Sequence, residues 1–408
     1  MAGEWTTLPL EDCMAAIIDY RGKSPEKTTF GVPLVTAKIV KGGRIEKPEE
    51  FIAEADFDDW MRRGMPKPGD IVMTTEAPLG EVAQLDGRKV ALAQRVITLR
   101  GKPDVLDNTF LKFLLQSNPV QEELRSRGTG TTVVGIRQSE LRKVSLTLPP
   151  LAEQKAIAAV LGALDDKIEL NRRMNATLEA MARALFQSWF VDFDPVRAKL
   201  DGRPPAALDP TTAALFPDSF DETELGHVPH GWEVKTLGEV IELAYGKPLK
   251  AEDRKNGPVC VYGANGPVGW HDEKLVSGPG IVVGRKGNPG VVTWAHGDFH
   301  PIDTTFYVEP IGVCRSLYFF YYALSLHNLA NLSADSAVPG LNRNHAYMSK
   351  QVIPSQSVLA AFDSLIAPIF AAIHANQEQS RTLATLRDTL LPKLLSGELE
   401  VEPVNESE

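Results

Sequence analysis

Cysteine is scarce in this sequence, with three residues among 408. Cys13, Cys260 and Cys314 lie far apart, so they offer neither a set of disulfide pairs nor the closely spaced pairs that bind zinc. This excludes a small secreted fold that depends on disulfides. The first residues also lack the basic and apolar regions of a signal peptide. Together these absences predict a cytoplasmic protein in a reducing compartment.

Long apolar runs and a positive charge excess are missing as well. The longest apolar run, from Leu317 to Leu326, falls short of the ~18 residues that span a bilayer, so it predicts a buried element. The chain has 43 basic and 53 acidic side chains, a net charge of −10. This balance excludes a globally basic protein that coats nucleic acid, but it leaves room for a local basic surface.

Known catalytic motifs are absent from the sequence. There is no phosphate loop ending in Lys-Ser/Thr, no His-Glu-x-x-His and no Gly-x-Ser-x-Gly, nor the Asp/Asn-Pro-Pro-aromatic motif of amino-methyltransferases. Asp298 lies between His296 and His300, as metal ligands often do. The other half of the chain has no matching ligand set, so we interpret these residues as a loop. The sequence therefore predicts neither a catalytic site nor a metal site.

What the sequence does contain is an internal repeat. Gly135-Ile136-Arg137 and Gly340-Leu341-Asn342 are 205 residues apart, and the same offset aligns Leu178 with Leu383 without a gap. Such a repeat predicts two copies of one structural unit. We predict an α+β fold in which two globular α+β units alternate with two long helices. The predicted segments are a globular unit at 1–150, a helix at 151–195, a linker at 196–230, a globular unit at 231–354, a helix at 355–397 and an acidic tail at 398–408.

Both helical segments carry apolar residues at alternating spacings of three and four, the pattern of a coiled-coil seam. Both seams turn polar at the centre, at Asn171 and Asn175 in the first and at Asn376 and Ser380 in the second. A buried polar residue can fix the register, because it is stabilised only opposite another polar group. Antiparallel pairing would bring the two centres together. The residues predicted to pair the helices are Ile157, Leu161, Leu164, Ile168, Asn171, Asn175, Leu178, Phe362, Ile366, Ile369, Ile373, Asn376 and Leu383.

The alternative is two unrelated amphipathic helices, each docked on its own globular unit. That interpretation makes the matching polar centres a coincidence. Two prolines bear on the ends of the helices. Pro195 is expected to close the first helix, and Pro368 should kink the second helix or mark its true start.

The globular units contain polar and basic loops at equivalent places. Residues 125–132 run into 135–138 in the first unit, and residues 331–339 run into 340–345 in the second. Arg, Asn and Gln read base edges, and glycines let backbone amides approach phosphates, so the recurrence favours DNA binding over solvated turns. The residues predicted to contact bases or backbone are Arg127, Thr131, Arg137, Gln138, Asn342 and Arg343. The residues predicted to contact phosphates are Arg21, Lys23, Lys247, Arg285 and Lys286.

Three longer stretches are more specific than the loops. They are Leu148-Pro-Pro-Leu-Ala-Glu-Gln-Lys-Ala-Ile157, Leu185-Phe-Gln-Ser-Trp-Phe-Val-Asp-Phe193 and Leu390-Leu-Pro-Lys-Leu-Leu-Ser-Gly-Glu398. With these stretches the chain resembles, over nearly its whole length, the specificity subunits of type I DNA restriction-modification systems.

The resemblance implies two target-recognition domains held apart by an antiparallel helix pair, each domain reading one half of a split site in double-stranded DNA. It also implies that the helices dock two methyltransferase subunits, which carry S-adenosylmethionine, and that the complex recruits restriction subunits with translocase and nuclease activity. This chain itself is then expected to need no cofactor. The length of the helices would set the unread gap between half-sites.

Two other functions stay open from the residues alone. One is a repeat-built adaptor that binds partner proteins rather than DNA, and the other is a self-contained modification enzyme, which the missing S-adenosylmethionine motif argues against. Charge adds one more expectation. Residues 1–150 have 21 basic and 21 acidic side chains, whereas residues 206–354 have 11 and 16. We therefore expect the second unit to bind DNA weakly by itself and to depend on partner subunits.

Overall fold

A computed structural model describes residues 5–130, 132–332 and 340–401. The chain divides into two compact units, which we call unit 1 and unit 2. Unit 1 consists of the described residues within Met1–Leu170 and Gln379–Glu408, and unit 2 consists of the described residues within Asn171–Glu378. Each unit contains one globular region and one half of each long helix. Helices and antiparallel sheets occur in both, which confirms the predicted α+β class.

Unit 1 is built on a four-stranded antiparallel sheet in the order β2-β10-β7-β8. Strand β3 pairs with β6 and, in parallel, with β9, while β1 pairs with β11. The elements are β1 (Thr6–Pro9), α1 (Leu10–Cys13), β2 (Met14–Asp19), β3 (Val32–Val35), β4 (Val40–Lys41), β5 (Arg44–Ile45), β6 (Phe51–Ile52), α2 (Phe57–Trp60), β7 (Ile71–Thr75), β8 (Leu79–Gln84), β9 (Ala91–Leu92), β10 (Val96–Gly101), α3 (Asn108–Gln116), α4 (Asn118–Arg127), α5 (Gln138–Leu141), β11 (Ser145–Leu148) and α6 (Leu151–Phe190).

Unit 2 has the same connectivity. Its four-stranded sheet has the order β15-β21-β18-β19, β16 pairs with β17 and in parallel with β20, and β14 pairs with β22. The elements are α7 (Asp194–Leu200), α8 (Pro210–Ala214), β12 (Phe220–Thr223), β13 (Gly226–Pro229), β14 (Glu233–Thr236), α9 (Leu237–Val240), β15 (Ile241–Tyr245), β16 (Val259–Gly263), β17 (Gly266–His271), β18 (Gly280–Gly284), β19 (Val292–Ala295), β20 (Phe299–Pro301), β21 (Thr305–Pro310), α10 (Leu317–Leu326), α11 (Arg343–Met348), β22 (Lys350–Ile353) and α12 (Gln356–Leu395).

The central strands read as continuous apolar runs because both faces of each sheet are covered. Successive side chains on a strand point to opposite faces. In β7, Ile71 and Met73 enter a core shared with α3 and α6, whereas Val72 enters a second core shared with β3 and β9. In β18, Ile281 and Val282 are divided in the same way between two cores. Each unit is therefore a sheet with helices on one face and a smaller sheet on the other.

Backbone hydrogen bonds reproduce the offset of 205 residues between the repeats. Gly135 forms an isolated bridge with Glu76, and Gly340 forms one with Lys286. The next residue forms an equivalent hydrogen bond in each unit. The Ile136 amide donates to the Thr75 carbonyl and the Leu341 amide donates to the Arg285 carbonyl, each at 2.9 Å. The repeat is therefore structural, and positions can be compared between the units.

The long helices α6 and α12 each have 40 residues, and they run antiparallel. In unit 2, Asn171 Nδ2 donates to the Asn376 carbonyl at 3.3 Å, and Asn175 Nδ2 donates to the Ile373 carbonyl at 3.2 Å. Asn376 Nδ2 donates back to Asn175 Oδ1 at 2.8 Å. Rising residue numbers on one helix therefore meet falling numbers on the other, which confirms the predicted antiparallel pairing.

The predicted pairing residues fall into two groups by burial. Phe362, Ile366 and Ile373 are buried in the core of unit 2, and Ile157 and Leu161 are buried in the core of unit 1 together with the globular elements. Asn171 is buried as well. The half-buried members are Leu164, Ile168, Asn175, Leu178, Ile369, Asn376 and Leu383. The ends of the seams thus pack on the globular regions as well as on the partner helix.

A cluster of charges lies where the helices of unit 1 meet the sheet layer. Asp165 on α6 pairs with Lys112 on α3 and, at 2.7 Å, with Arg387 on α12. With the offset of 205, Phe370 stands at the place of Asp165 in unit 2, and it packs edge-on against Trp294 at 4.7 Å. At equivalent positions, unit 1 therefore has three paired charges and unit 2 has packed aromatic rings.

The segment predicted as a linker, 196–230, is a packed part of unit 2. It contains α7, α8 and the hairpin of β12 and β13, and Val196, Phe216 and Val228 are buried in the core. The prediction of a linker is wrong because proline and aspartate mark turns without showing whether the apolar residues between them are buried. Pro195 also does not close α6, which ends at Phe190; it lies in the first turn of α7.

Pro368 lies inside α12, which begins at Gln356. The interpretation that this proline marks the start of the helix is wrong. Proline has no N–H, so the helix loses the hydrogen bond to the carbonyl four residues earlier. Ile366 and Phe370 are buried on either side of Pro368, and this packing holds the helix together.

Helix α12 is long and apolar enough, by length and composition, to cross a membrane, and no other helix among the described residues is. One such helix is weak support for a membrane span, since a core helix of a soluble protein passes the same test. Phe362, Ile366 and Ile373 pack into the core of unit 2. The predicted acidic tail lies outside the described residues from position 402 onward.

Candidate nucleic-acid interface

Three loops of unit 1 meet where strands of its four-stranded sheet end. The first loop, residues 19–23, follows β2; the second, residues 75–77, follows β7; and the third, residues 135–138, leads into α5. We call these three loops together loop surface 1. The Arg21 guanidinium donates to the Ile136 carbonyl at 2.8 Å, which ties the first loop to the third. The bridge between Glu76 and Gly135 ties the second loop to the third. Residues distant in sequence therefore form one continuous surface.

Most arginines of this region are neutralised by carboxylates. Arg21 donates to both carboxylate oxygens of Asp19, with Nη2 2.6 Å from Oδ2. Arg127 pairs with Glu123 at 2.8 Å and with Glu140 at 3.6 Å. Arg21 and Arg127 were predicted to contact DNA. In the structure Arg21 also ties two loops together and Arg127 joins α4 to α5, and their contact with DNA stays a prediction.

Glu140 is held mainly by Lys143. Their hydrogen bond, with a smaller contribution from Arg127, lowers the pKa of the Glu140 carboxyl below its usual range. The Glu140 carboxylate therefore keeps its charge, and its ion pair with Arg127, to a lower pH than an unpaired glutamate would.

Three predicted DNA contacts in unit 1 remain available to a ligand. Lys23 and Arg137 are exposed, and neither forms an ion pair with any residue that the structure describes. Gln138 is half-buried at the first position of α5. Thr131, the remaining candidate of unit 1, lies outside the described residues. Arg137 is the strongest candidate because its guanidinium lies beside the joined loops and pairs with no carboxylate of the described residues.

The equivalent loops of unit 2 follow β15, follow β18 and precede α11. We call residues 245–247, 284–286 and 340–343 loop surface 2. The guanidinium carbons of Arg285 and Arg343 lie 4.9 and 5.0 Å from the ring centre of Tyr245. Arg285 Nη1 donates to the Asp303 carbonyl at 3.0 Å, and Arg343 Nη1 donates to the Leu243 carbonyl at 3.4 Å. Rings and carbonyls, rather than carboxylates, hold these arginines.

The other predicted contacts of unit 2 differ in how free they are. Lys247 and Lys286 are exposed, with no ion pair to a described residue. Asn342 caps α11, because its side-chain oxygen accepts from the amides of Asn344 and His345 at 3.0 and 3.3 Å. That oxygen is occupied, so Asn342 can offer only its amide nitrogen to a base.

Tyr245 was missed as a site residue in the sequence. It ends β15, is half-exposed, and contacts both arginines of loop surface 2. The sequence shows only a tyrosine at the end of a strand. That does not distinguish a ring buried in the core from a ring that contacts arginine side chains. The contacts are visible only once β15, β18 and α11 are brought together.

The histidines near Asp298 do not gather as metal ligands. Asp298 pairs with Lys274 at 2.7 Å, while the His296 ring stacks on His374 at 4.9 Å. Burial, with a contribution from His374, lowers the pKa of His296 to about 4. Across 5–130, 132–332 and 340–401, no group of three or more His, Cys, Asp or Glu residues is placed to hold a metal.

Comparison with known proteins connects these surfaces to a family. The family model described as the type I restriction modification DNA specificity domain matches residues 64–180 and 229–354, which contain most of both loop surfaces. The chain belongs to this family. Loop residues 19–23, with Arg21 and Lys23, lie before the first matched range.

Relatives of this specificity family match most of the chain. The chain is 27% identical over 397 residues to the type I restriction enzyme MjaIX specificity subunit of Methanocaldococcus jannaschii, covering 91% of this chain and 87% of that protein. It is 29% identical over 358 residues to the HindI specificity subunit of Haemophilus influenzae, covering 71% and 77%. These relatives favour DNA specificity over the adaptor alternative.

The fold of a specificity subunit has also been solved. The crystal structure of a type I restriction-modification S subunit from M. genitalium matches with a TM-score of 0.62 and 20% sequence identity, covering 96% of each chain. At this identity the match supports the fold alone. It agrees with two α+β regions that alternate with long helices.

Proposed function

We propose that this chain is the non-catalytic subunit that reads DNA in a type I restriction-modification complex, with each unit reading one half of a bipartite site. The observation that carries the proposal is the recurrence of a joined loop surface at the same end of the sheet in both units, with all of its loops except residues 19–23 inside the stretches matched by the family. The length of the helices would set the number of unread base pairs.

The experiment that tests this function is the mapping of methylated motifs in cells that express the chain with its methyltransferase. A split motif, methylated only when this chain is present, is expected. DNA binding by the assembled complex should weaken as salt rises, because phosphate contacts release counterions. Methylation that does not depend on this chain would contradict the proposal.

Within unit 1 we propose that Lys23, Arg137 and Gln138 contact DNA. Arg137→Ala is expected to weaken binding by about 1–3 kcal/mol and to relax selection at one position of one half-site, because arginine reads guanine with two hydrogen bonds. The measurement is binding of the assembled complex to duplexes that carry the mapped motif and single-base changes in it.

Arg88→Ala is the matched control for Arg137→Ala. Both changes remove one exposed arginine from unit 1. Strand β8 begins at Leu79, beside loop surface 1, and ends at Gln84, about 17 Å away, and Arg88 follows that far end. An unchanged motif and affinity in Arg137→Ala would remove this residue from the interface.

The solvent face of α6 is proposed to bind a methyltransferase subunit, which would carry S-adenosylmethionine. In unit 2 this face presents Met174 and Met181, whose side chains are 42% and 56% exposed. They lie seven residues apart, so they share one face of the helix. Leu386 stands at the place of Met181 in the second repeat and is also exposed. Exposed apolar residues repeated on both helices favour two copies of one partner.

Replacing Met174 and Met181 together by aspartate is expected to weaken methyltransferase binding by about 2–4 kcal/mol, since two charges would be buried without partners. The double change Ala176→Asp and Ala180→Asp is the control, because both alanines are exposed on the same helix but face away from the methionines. Binding measured by titration calorimetry should fall only for the methionine variant. Equal binding by both variants would place the partner elsewhere.

A specificity subunit of this family is proposed to work without a cofactor of its own. The restriction subunits, with translocase and nuclease activity, are proposed as further partners in the cytoplasm. Activity in the purified chain without its partners would contradict a non-catalytic role.

A further inference from the structure

Loop surface 2 concentrates positive charge in a unit that is acidic as a whole. Arg285 and Arg343 both lie about 5 Å from the Tyr245 ring, so their guanidinium carbons are within about 10 Å of one another. Lys247 and Lys286 flank them in the same loops. Of the residues that the structure describes, no carboxylate lies within 4.0 Å of any of these four cations.

The arginines are also fixed in place. Arg285 lies over the Phe306 ring at 5.8 Å as well as over Tyr245, and Arg343 lies over the Tyr347 ring at 5.6 Å. Each donates one hydrogen bond to a backbone carbonyl, those of Asp303 and Leu243. Like charges repel, so a protein holds them together at a measurable cost unless a ligand of opposite charge compensates. Their fixed geometry therefore points to an anion.

The equivalent positions in unit 1 carry the opposite chemistry. The strand registers place Asp19 of unit 1 at the position that Tyr245 has in unit 2. Asp19 pairs with Ile97 on β10, and Tyr245 pairs with Phe306, the equivalent residue on β21. The isolated bridges place Glu76 where unit 2 has Lys286. Two carboxylates of unit 1, each holding an arginine, are thus replaced in unit 2 by an aromatic ring and a cation.

We propose that Tyr245 positions Arg285 and Arg343 as a clamp for DNA phosphates, and that unit 2 supplies the larger share of the salt-dependent affinity. This inference rests on the proposed function. A guanidinium presents a rigid fork of donors that matches two phosphate oxygens, and its charge does not depend on pH in the physiological range. Tyr245 is a positioning residue, since it acts through the arginines. The net charge of the unit is a poor guide to this surface because the carboxylates lie elsewhere.

The test measures how the affinity of the assembled complex for DNA falls with salt concentration. Each phosphate contact contributes about 1 to the slope of log K against log salt. Arg343→Ala and Lys286→Ala should each lower that slope by about 1. Lys274→Ala is the control: its partner Asp298 binds the amide of Gly278, at the opposite end of β18 from Arg285, so the slope should not change.

Variants of Tyr245 separate positioning from charge. Tyr245→Leu keeps all four cations but removes the ring, so affinity should fall about five- to thirty-fold while the slope changes little. Tyr245→Phe keeps a ring face and should restore binding. If Phe behaves like Leu, the ring face is not what positions the arginines, and that part of the inference is wrong.

The outcomes distinguish this inference from the proposed function. Unchanged slopes in Arg343→Ala and Lys286→Ala, in a complex that still methylates its split motif, would overturn the clamp and leave the function standing. A complex that binds no DNA at any salt concentration would overturn both. Methyltransferase binding by each variant shows that it is folded, because that contact is proposed on α6 and not on loop surface 2.

Discussion

Replacing Asp165 by alanine is expected to destabilise unit 1 by about 3–5 kcal/mol. The Asp165 carboxylate is largely buried and is shared by Lys112 and Arg387. Burial opposes the charge of Arg387, but hydrogen bonds to Asp165 and Asp388 raise the pKa of its guanidinium above the ordinary value. Without Asp165, two cations would face each other in a site with little water.

Hydrogen exchange of the full chain is the measurement, because it reports on each part of a helix separately. Protection should fall in peptides from 151–170 and 379–395. Asp166→Ala is the control, since Asp166 is the next residue on the same helix and is exposed. If both variants kept equal protection, the triad would contribute little to holding the helices in register.

A Trp189→Ala variant is expected to lose about 3–5 kcal/mol of stability in unit 2, as large-to-small changes in a core do. Trp189 is 1% exposed, and its ring meets Phe216 edge-on at 4.9 Å. It also lies 5.9 Å from the Phe362 ring on α12. The side chain thus holds α6, α12 and the segment 196–230 in one core.

Limited proteolysis checks this prediction directly. Loss of Trp189 should expose 196–230 to cleavage at rates well above those of the unaltered chain. Trp270→Ala is the control, because Trp270 is 40% exposed and its removal leaves a smaller cavity. Equally slow cleavage of 196–230 in the unaltered chain and the Trp189 variant would mean that Trp189 is not what holds this segment in the core.

The repeat and the helices were predictable because their signals are local and periodic. The spacing of three and four in the seams follows from helix geometry, and the polar residues Asn171, Asn175 and Asn376 mark one alignment. The structure joins these three by hydrogen bonds within unit 2. The offset of 205 between Gly135 and Gly340 needed no knowledge of the fold.

Other features depended on partners distant in sequence. The burial of Phe216 depends on Trp189, and the ion triad depends on Lys112, Asp165 and Arg387 from three different helices. The sequence predicted a linker at 196–230 because that segment is rich in turn-forming residues, and composition does not show which of its apolar residues are buried. The site behaved in the same way: only the folded loops bring the Arg21 guanidinium to the Ile136 carbonyl and the Arg127 guanidinium to Glu140.

By itself, then, the sequence determined the architecture: two copies of an α+β unit, two long antiparallel helices, and a family whose members are DNA specificity subunits. Only the tertiary structure decided which charges are available. Coulomb interactions act over a few ångströms in space rather than along the chain. In unit 1, Arg21 and Arg127 are therefore paired with carboxylates, while unit 2 presents Arg285 and Arg343 on one tyrosine ring.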